Sequence, residues 1–150
     1  MTDLLEGTYE PSTQQWVRDQ VELYESTGGK EGWHLMDRTD WPIVVITSQG
    51  ARSGRLRKNP VMKVEKDGAY LAVASKGGAP ENPVWYHNFV ANPIVQLQDG
   101  PEPALYKARL LEPGPERDEW WERACAAYDP YVEYQQKTDR LIPLFLLERM

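Results

Sequence analysis

Ile43-Val44-Val45-Ile46-Thr47, the turn from Gly50 to Gly54, the run Val61 to Lys66, and Lys66-Asp67-Gly68 leading into Ala69-Tyr70-Leu71-Ala72-Val73-Ala74 decide the fold. The first run is β-branched, which suits a pleated surface packed on both faces and predicts an inner strand. Gly50 and Gly54 bracket a turn. Asp67-Gly68 between two extended runs is a strong hairpin signal, because both central residues of the tightest hairpin turn need a positive φ. Two hairpins in about thirty residues already point to a mostly antiparallel sheet.

Outward from this centre, helices and strands alternate irregularly. Residues 13–27 predict a helix, with Trp16, Val17, Gln20, Val21, Leu23, Tyr24 and Thr27 on or beside one stripe, Ser12 as its cap and Gly28-Gly29 as its stop. The segment from there to Asp40 is irregular, as a lid, a wrapped arm or a plain loop. Asn82-Pro83 reads as a cap followed by proline at the first helical position, opening a short helix through Val90 that Asn92-Pro93 ends. Ile94 to Leu97 and Ala104 to Leu111 predict two more strands around Gly100-Pro101. Pro115 opens a helix through Tyr128, and Pro130 to Thr138 predicts a shorter one. Leu141 to Leu147 reads as a strand, and Pro143 inside it predicts an edge position, since proline donates nothing to a neighbouring strand. The class is α+β, a small and mostly antiparallel barrel or folded sheet, without repeats or linkers.

At 150 residues the chain has room for one cooperative domain, with residues 1–40 as a helix and arm belonging to the same unit as residues 41–150. One cysteine, Cys125, excludes an internal disulfide and a cysteine cluster, and His34 and His87 are too few to mark a metal site. No metal is expected. There is no GxGxxG fingerprint, complete P-loop or GxSxG elbow. Met1 to Tyr9 lacks a basic leader and a long apolar run, and no stretch approaches the ~20 apolar residues that span a bilayer. A cytoplasmic protein with at most peripheral membrane contact through its aromatic residues is expected.

The formal charge of -6, from 17 basic and 23 acidic residues, argues against a generic nucleic-acid binder. Its distribution is more informative. Residues 1–40 carry three basic and nine acidic groups, residues 41–108 eight and five, and residues 109–150 six and nine. From Trp41 to Lys63 there is no acidic residue, yet Arg52, Arg55, Arg57, Lys58 and Lys63 all fall there. Arginine forks and backbone N–H groups on a glycine-bracketed turn can converge on one anion. At about 4 Å and an effective dielectric of about 20, each such charge pair is worth about 4 kcal/mol before desolvation. Ser75-Lys76-Gly77-Gly78 is a second polar, glycine-rich connection of the same kind.

The segment Thr47-Ser48-Gln49-Gly50-Ala51-Arg52-Ser53-Gly54-Arg55-Leu56-Arg57-Lys58-Asn59-Pro60-Val61 resembles the cofactor phosphate segment of the deazaflavin-dependent nitroreductase family. The resemblance continues through Ala74 to Gly78, through Asn82 to Pro93, and near the end through Tyr128 to Tyr134 and Thr138 to Pro143. Together these ordered motifs cover most of residues 41–145. The family has a split β-barrel, like that of FMN-binding proteins, and uses coenzyme F420. The resemblance implies that Arg52, Ser53, Arg57 and Asn59 surround the cofactor phosphate and its linker. It places Pro60 and Met62 along the cofactor, Ala74, Ser75, Lys76, Gly77 and Gly78 around its ring and tail, and Trp85 and Asn88 in the frame of the pocket. Ala51 stands where the family often has a basic residue, with Arg55 near enough to compensate in part.

A reduced deazaflavin carries the hydride, so the protein need only position it, orient an acceptor and supply a proton. Phenols suit proton supply. Tyr131 matches the family's substrate-facing tyrosine, with Tyr134 beside it, Tyr128 a third, and Ser75 a further donor. The expected activity is F420-dependent hydride transfer to a quinone-like, enone or nitro acceptor. The alternatives are an FMN-dependent reductase and a non-catalytic F420 or phospho-ligand carrier. The partners expected are a small organic acceptor and a second copy of the chain, since six tryptophans leave room for an apolar patch between subunits. No nucleic acid is expected.

Overall fold

Val44 and Ile46 face one hydrophobic cluster while Ile43 and Val45 face another, and all four are at most 2% exposed in the computed structural model, which describes residues 4–150. Met1 to Asp3, the start of the segment read for a leader, lie outside the described residues. Burial on both faces is why this run reads as continuously β-branched rather than alternating. It belongs to β2 (Arg38–Gln49), which pairs with β3 (Leu56–Met62) in the register Ile43↔Met62 to Gln49↔Leu56. On its other edge β2 pairs with β6 (Ile94–Gln98), and its first residues pair with the two-residue β1 (His34–Leu35). The segment expected to be irregular therefore contains a short hairpin, and the strand starts five residues earlier than Ile43 suggested.

The remaining strands are β4 (Glu65–Lys66), β5 (Ala69–Val73), β7 (Pro103–Leu110) and β8 (Leu144–Arg149), and the order β1-β2-β6-β7-β8-β5-β4 is antiparallel throughout. Asp67 (φ 55°) and Gly68 (φ 85°) make the positive-φ turn between β4 and β5. β3 lies off this path, paired to β2 near one end of the order, and β4 lies at the other end, yet only Lys63 and Val64 separate them in the chain. The sheet therefore curls back on itself, and the Leu71 N–H donates to the Val64 carbonyl at 2.8 Å. Past that bond no ladder joins β3 to β5 among the described residues. The barrel is split there, and the cavity described below lies against both strands.

Leu144–Leu147 is not an edge strand. β8 pairs with both β5 and β7. Pro143 precedes the strand by one residue, so its missing N–H falls outside the ladder, while its carbonyl accepts from the Ala74 N–H at 3.0 Å.

Among the described residues, four α-helices cover the sheet. α1 (Gln15–Ser26) buries Val17, Val21 and Tyr24, and α3 (Pro115–Ala127) and α4 (Pro130–Lys137) join the same cluster through Trp120, Ala124 and Tyr131. α2 (Val84–Ala91) puts Phe89 into the other cluster, against Phe145 at 5.2 Å between ring centroids. Trp16, expected on the apolar stripe of α1, is 57% exposed; the buried stripe is the i, i+4, i+7 set alone. The Tyr24 hydroxyl accepts from the Gly100 N–H at 2.7 Å and donates to the Gln98 carbonyl at 3.2 Å, tying α1 to the β6–β7 turn. Two expected caps are used otherwise. Ser12 Oγ accepts from the Gln14 N–H, one step outside the helix, and Asn82 Oδ1 accepts from Arg140. Among the described residues no helix is long and apolar enough to cross a membrane, and no cluster of metal-ligating side chains forms.

Candidate active site

Beyond a single bridge at Leu56, β3 has a strand partner on one side only among the described residues, and the loop after β5 leaves the sheet at Ala74; the opening between them is a cavity of about 560 Å³. Its wall on the β3 side is Arg57, Asn59, Pro60, Val61 and Met62. Val73, Ser75, Lys76 and Gly77 continue the wall, the start of α2 adds Pro83, Val84, Trp85 and Asn88, and Tyr128, Tyr131 and Tyr134 close the far side. Of the residues singled out in the sequence, Arg57, Asn59, Pro60, Met62, Ser75, Lys76, Gly77, Trp85, Asn88, Tyr131 and Tyr134 thus meet at one place.

Four do not line it. Arg52 and Ser53 stand exposed at the tip of the β2–β3 turn, where Ser53 Oγ accepts from the Arg55 N–H at 3.1 Å. Ala74 is fully buried behind the wall. Gly78 is buried against α4: a Cβ there would stand 2.7 Å from the Tyr134 carbonyl oxygen. Ala74 and Gly78 therefore lie behind the loop rather than on the cavity surface, where they pack against their neighbours.

The loop itself is unusual backbone. Lys76, Gly77 and Gly78 have consecutive φ values of 47°, 63° and 82°, a left-handed stretch that non-glycine residues seldom enter. Nothing lies within 4 Å of the position a Cβ would take on Gly77, so the cavity wall is open at that point. Arg140 holds the loop with four hydrogen bonds, to the carbonyls of Ala74, Ser75 and Ala79 and to Asn82 Oδ1. Asn88 is used in a related way: 4% exposed, its Oδ1 accepts from the Ala51 N–H at 3.0 Å and anchors the basic turn to α2.

The three tyrosines differ. Tyr128 and Tyr134 share one hydrogen bond between hydroxyls at 3.1 Å, which uses one of their two protons and leaves the other. Tyr131 is 3% exposed, packs its ring 4.9 Å from that of Tyr128, and makes no hydroxyl hydrogen bond among the described residues. Burial pushes the phenols of Tyr131 and Tyr128 above their ordinary titration range, so both keep their protons far above neutral pH. Burial likewise raises the half-buried Cys125 thiol, which fits packing rather than nucleophilic use.

The other side of the cavity was not legible in the motifs. Ser12, Thr13, Gln14, Trp16 and Val17, from the arm and the start of α1, and Leu35 from β1 also line it. The arm is fixed by Tyr9, bridged in parallel to Leu56, by the Leu56 N–H donating to the Thr8 carbonyl at 2.8 Å, and by the Glu10 N–H donating to the Leu56 carbonyl at 2.9 Å. Glu10 then sets its carboxylate against Arg57 at 2.8 Å and Arg55 at 3.4 Å. Glu25 pairs with Lys58 at 2.6 Å, Asp99 with Lys63 at 2.8 Å, and Glu81 with Lys76 at 2.9 Å. The acidic N-terminal third and the basic turn, separate in the sequence, are folded against each other. Among the described residues, Arg52 alone of the basic groups on the turn makes no ion pair.

The family model for F420H(2)-dependent quinone reductase matches residues 16–149. The chain belongs to that family. An F420H(2)-dependent quinone reductase of Mycobacterium tuberculosis strain H37Rv is 32% identical over 137 residues, covering 90% of this chain and 91% of the relative. A solved F420-H2 dependent reductase is 53% identical, covers 77% of this chain and 98% of its own, and superposes with a TM-score of 0.68. A second structure, described as a domain-swapped dimer, is 51% identical, covers 91% and 100%, and gives a TM-score of 0.70. The split-barrel expectation agrees with this family and with the curled sheet.

Proposed function

We propose that the cavity would hold reduced F420 and a quinone-like acceptor, and that this chain is an F420H2-dependent quinone reductase. The residues fit the cofactor's chemistry on two counts. Arg57 and Lys76 offer cations to an anionic tail, and the open position at Gly77, with Pro60, Met62 and Trp85 nearby, admits a flat ring close to backbone. When bound in its reduced form, F420 supplies a hydride.

The chain's own work is then limited. A quinone that gains a hydride becomes a hydroquinone only when one oxygen also gains a proton. Tyr131 carries this reading: its side chain lines the cavity, and no acceptor among the described residues competes for its hydroxyl proton. Tyr131 donates to the acceptor's oxygen, and the remaining proton of the Tyr128–Tyr134 pair serves as a second donor at the same wall. Ser75, 8% exposed and without a hydroxyl partner among the described residues, donates from the cofactor side. Ring packing of Trp85 against Phe89 at 4.8 Å braces the cavity wall that would face the cofactor.

Adding F420 and FMN separately to the purified protein tests the cofactor. Binding of F420 is expected, and tight binding of FMN without F420 overturns the reading. Turnover across quinone, enone and nitro acceptors then tests the substrate class; retention of F420 without any turnover identifies a carrier. The chain is proposed to form a homodimer, as does the 51% identical relative described as a domain-swapped dimer, and light scattering decides this.

A further inference from the structure

We propose that Arg140 is a positioning residue that holds the cofactor-side loop in register with the acceptor-side tyrosines, a role that rests on the reading of Ser75 and Lys76 as cofactor contacts. Its guanidinium reaches across 58 to 66 residues of sequence. Nε donates to the Ala79 carbonyl at 2.9 Å, one terminal nitrogen to the Ala74 carbonyl at 3.1 Å and Asn82 Oδ1 at 2.8 Å, and the other to the Ser75 carbonyl at 2.7 Å. All four acceptors are neutral, and no carboxylate stands within ion-pair distance of Arg140 among the described residues. The fork is spent on backbone shape, not on charge pairing.

That use suits this loop. Three consecutive left-handed residues follow Ser75, and such backbone persists only where its surroundings over-determine it. Arg140 ties down the residues before and after the stretch, while α4 packs directly onto Gly78. Arg140 is itself held by the same helix: the Gln135 amide donates to the Arg140 carbonyl at 2.8 Å and accepts from the Ile142 N–H at 3.0 Å. α4 also carries Tyr131 and Tyr134. One side chain therefore links the wall bearing Ser75 and Lys76 to the helix bearing the proton donors, and the spacing between the two walls is what hydride transfer depends on.

A lysine cannot reproduce a planar fork with four acceptors. Arg140→Lys is expected to fold, to bind F420 more weakly, and to lose about 100-fold in kcat at saturating cofactor and acceptor. Hydrogen exchange at the amides of residues 75–79 is expected to rise in the same variant without cofactor. Arg109→Lys, which weakens surface ion pairs to Glu116 and Glu148 away from the cavity, controls for ordinary destabilisation and keeps wild-type Kd and kcat. An Arg140→Lys protein with lowered Tm but wild-type Kd and kcat overturns the proposal. If Arg140→Lys does not fold, Asn82→Ala removes one acceptor alone; a loss of about fivefold or more in kcat supports the proposal, and none overturns it. Failure of the wild-type chain to bind F420 overturns the site reading, and this assignment with it.

Discussion

Replacing Gly78 with alanine, and Gly77 beside it as the comparison, separates backbone strain from steric contact at the cavity wall. Both glycines are left-handed, with φ of 82° and 63°. An alanine in that region costs about 1 kcal/mol wherever it stands. At Gly77 nothing else is added, because no atom lies within 4 Å of the new methyl. At Gly78 the methyl meets the Tyr134 carbonyl oxygen at 2.7 Å, Tyr134 Cα at 3.0 Å and Lys137 Cβ at 3.1 Å. Two of these are backbone atoms that cannot swing aside, so α4 must move or the loop must. Overpacking of this kind adds about 1–3 kcal/mol, which brings Gly78→Ala to about 2–4 kcal/mol. For a chain of this size that is a fall in Tm of about 4–16 °C, against about 2–4 °C for Gly77→Ala. Because the helix that moves carries Tyr131 and Tyr134, Gly78→Ala also loses turnover. Gly77→Ala acts on F420 binding instead, through its open wall position. Thermal denaturation and F420 titration of the two variants measure both effects. Equal Tm values for the pair, or a Gly78→Ala protein with unchanged kcat, would refute the assignment of Gly78 to loop–helix packing.

Tyr131→Phe is expected to bind F420 as the wild type does and to lose about 100-fold or more in kcat; an unchanged kcat moves the donor role to the Tyr128–Tyr134 pair. Glu10→Gln frees Arg57 and Arg55 from their carboxylate and is expected to tighten binding of the anionic cofactor about two- to fivefold, read by titration at low salt, whereas weaker binding shows that Glu10 organises the arginines instead. The folded-state pKa values of Tyr131, Tyr128 and Tyr24 lie above the unfolded value of 10.0, so the folded chain holds protons that the unfolded chain releases. Stability is therefore independent of these phenols below pH about 10 and falls as pH rises through it. Urea midpoints at pH 9, 10 and 11 check the sign, and Tyr131→Phe must show a shallower fall.

Much of this was legible because the signals are local. Asp67-Gly68 demands positive φ, so it marked its hairpin unaided. Gly28-Gly29 stopped α1, and the Gly29 N–H donates to the Tyr24 carbonyl at 2.8 Å as a helix end requires. Most of the motif residues on β3 and after β5 line one cavity, although Ala74 and Gly78 lie behind it. Errors came where a neighbour decided. Pro143 misled because a proline excludes only the ladder position that it occupies, and β8 begins one residue later. Trp16 was read onto the apolar stripe of α1 because its spacing fits one, yet it is exposed and lines the cavity.

By itself the sequence determined most of the strands, the turns, the family motifs and the uneven placement of charge, because each depends on residues close together in the chain. Only the tertiary structure decided that Glu10 and Glu25 pair with Arg55, Arg57 and Lys58, that the N-terminal arm walls the cavity, and that Arg140 holds its loop. These are contacts across 33 to 66 residues. No local pattern encodes them, since each exists only once the sheet has curled and left its split between β3 and β5.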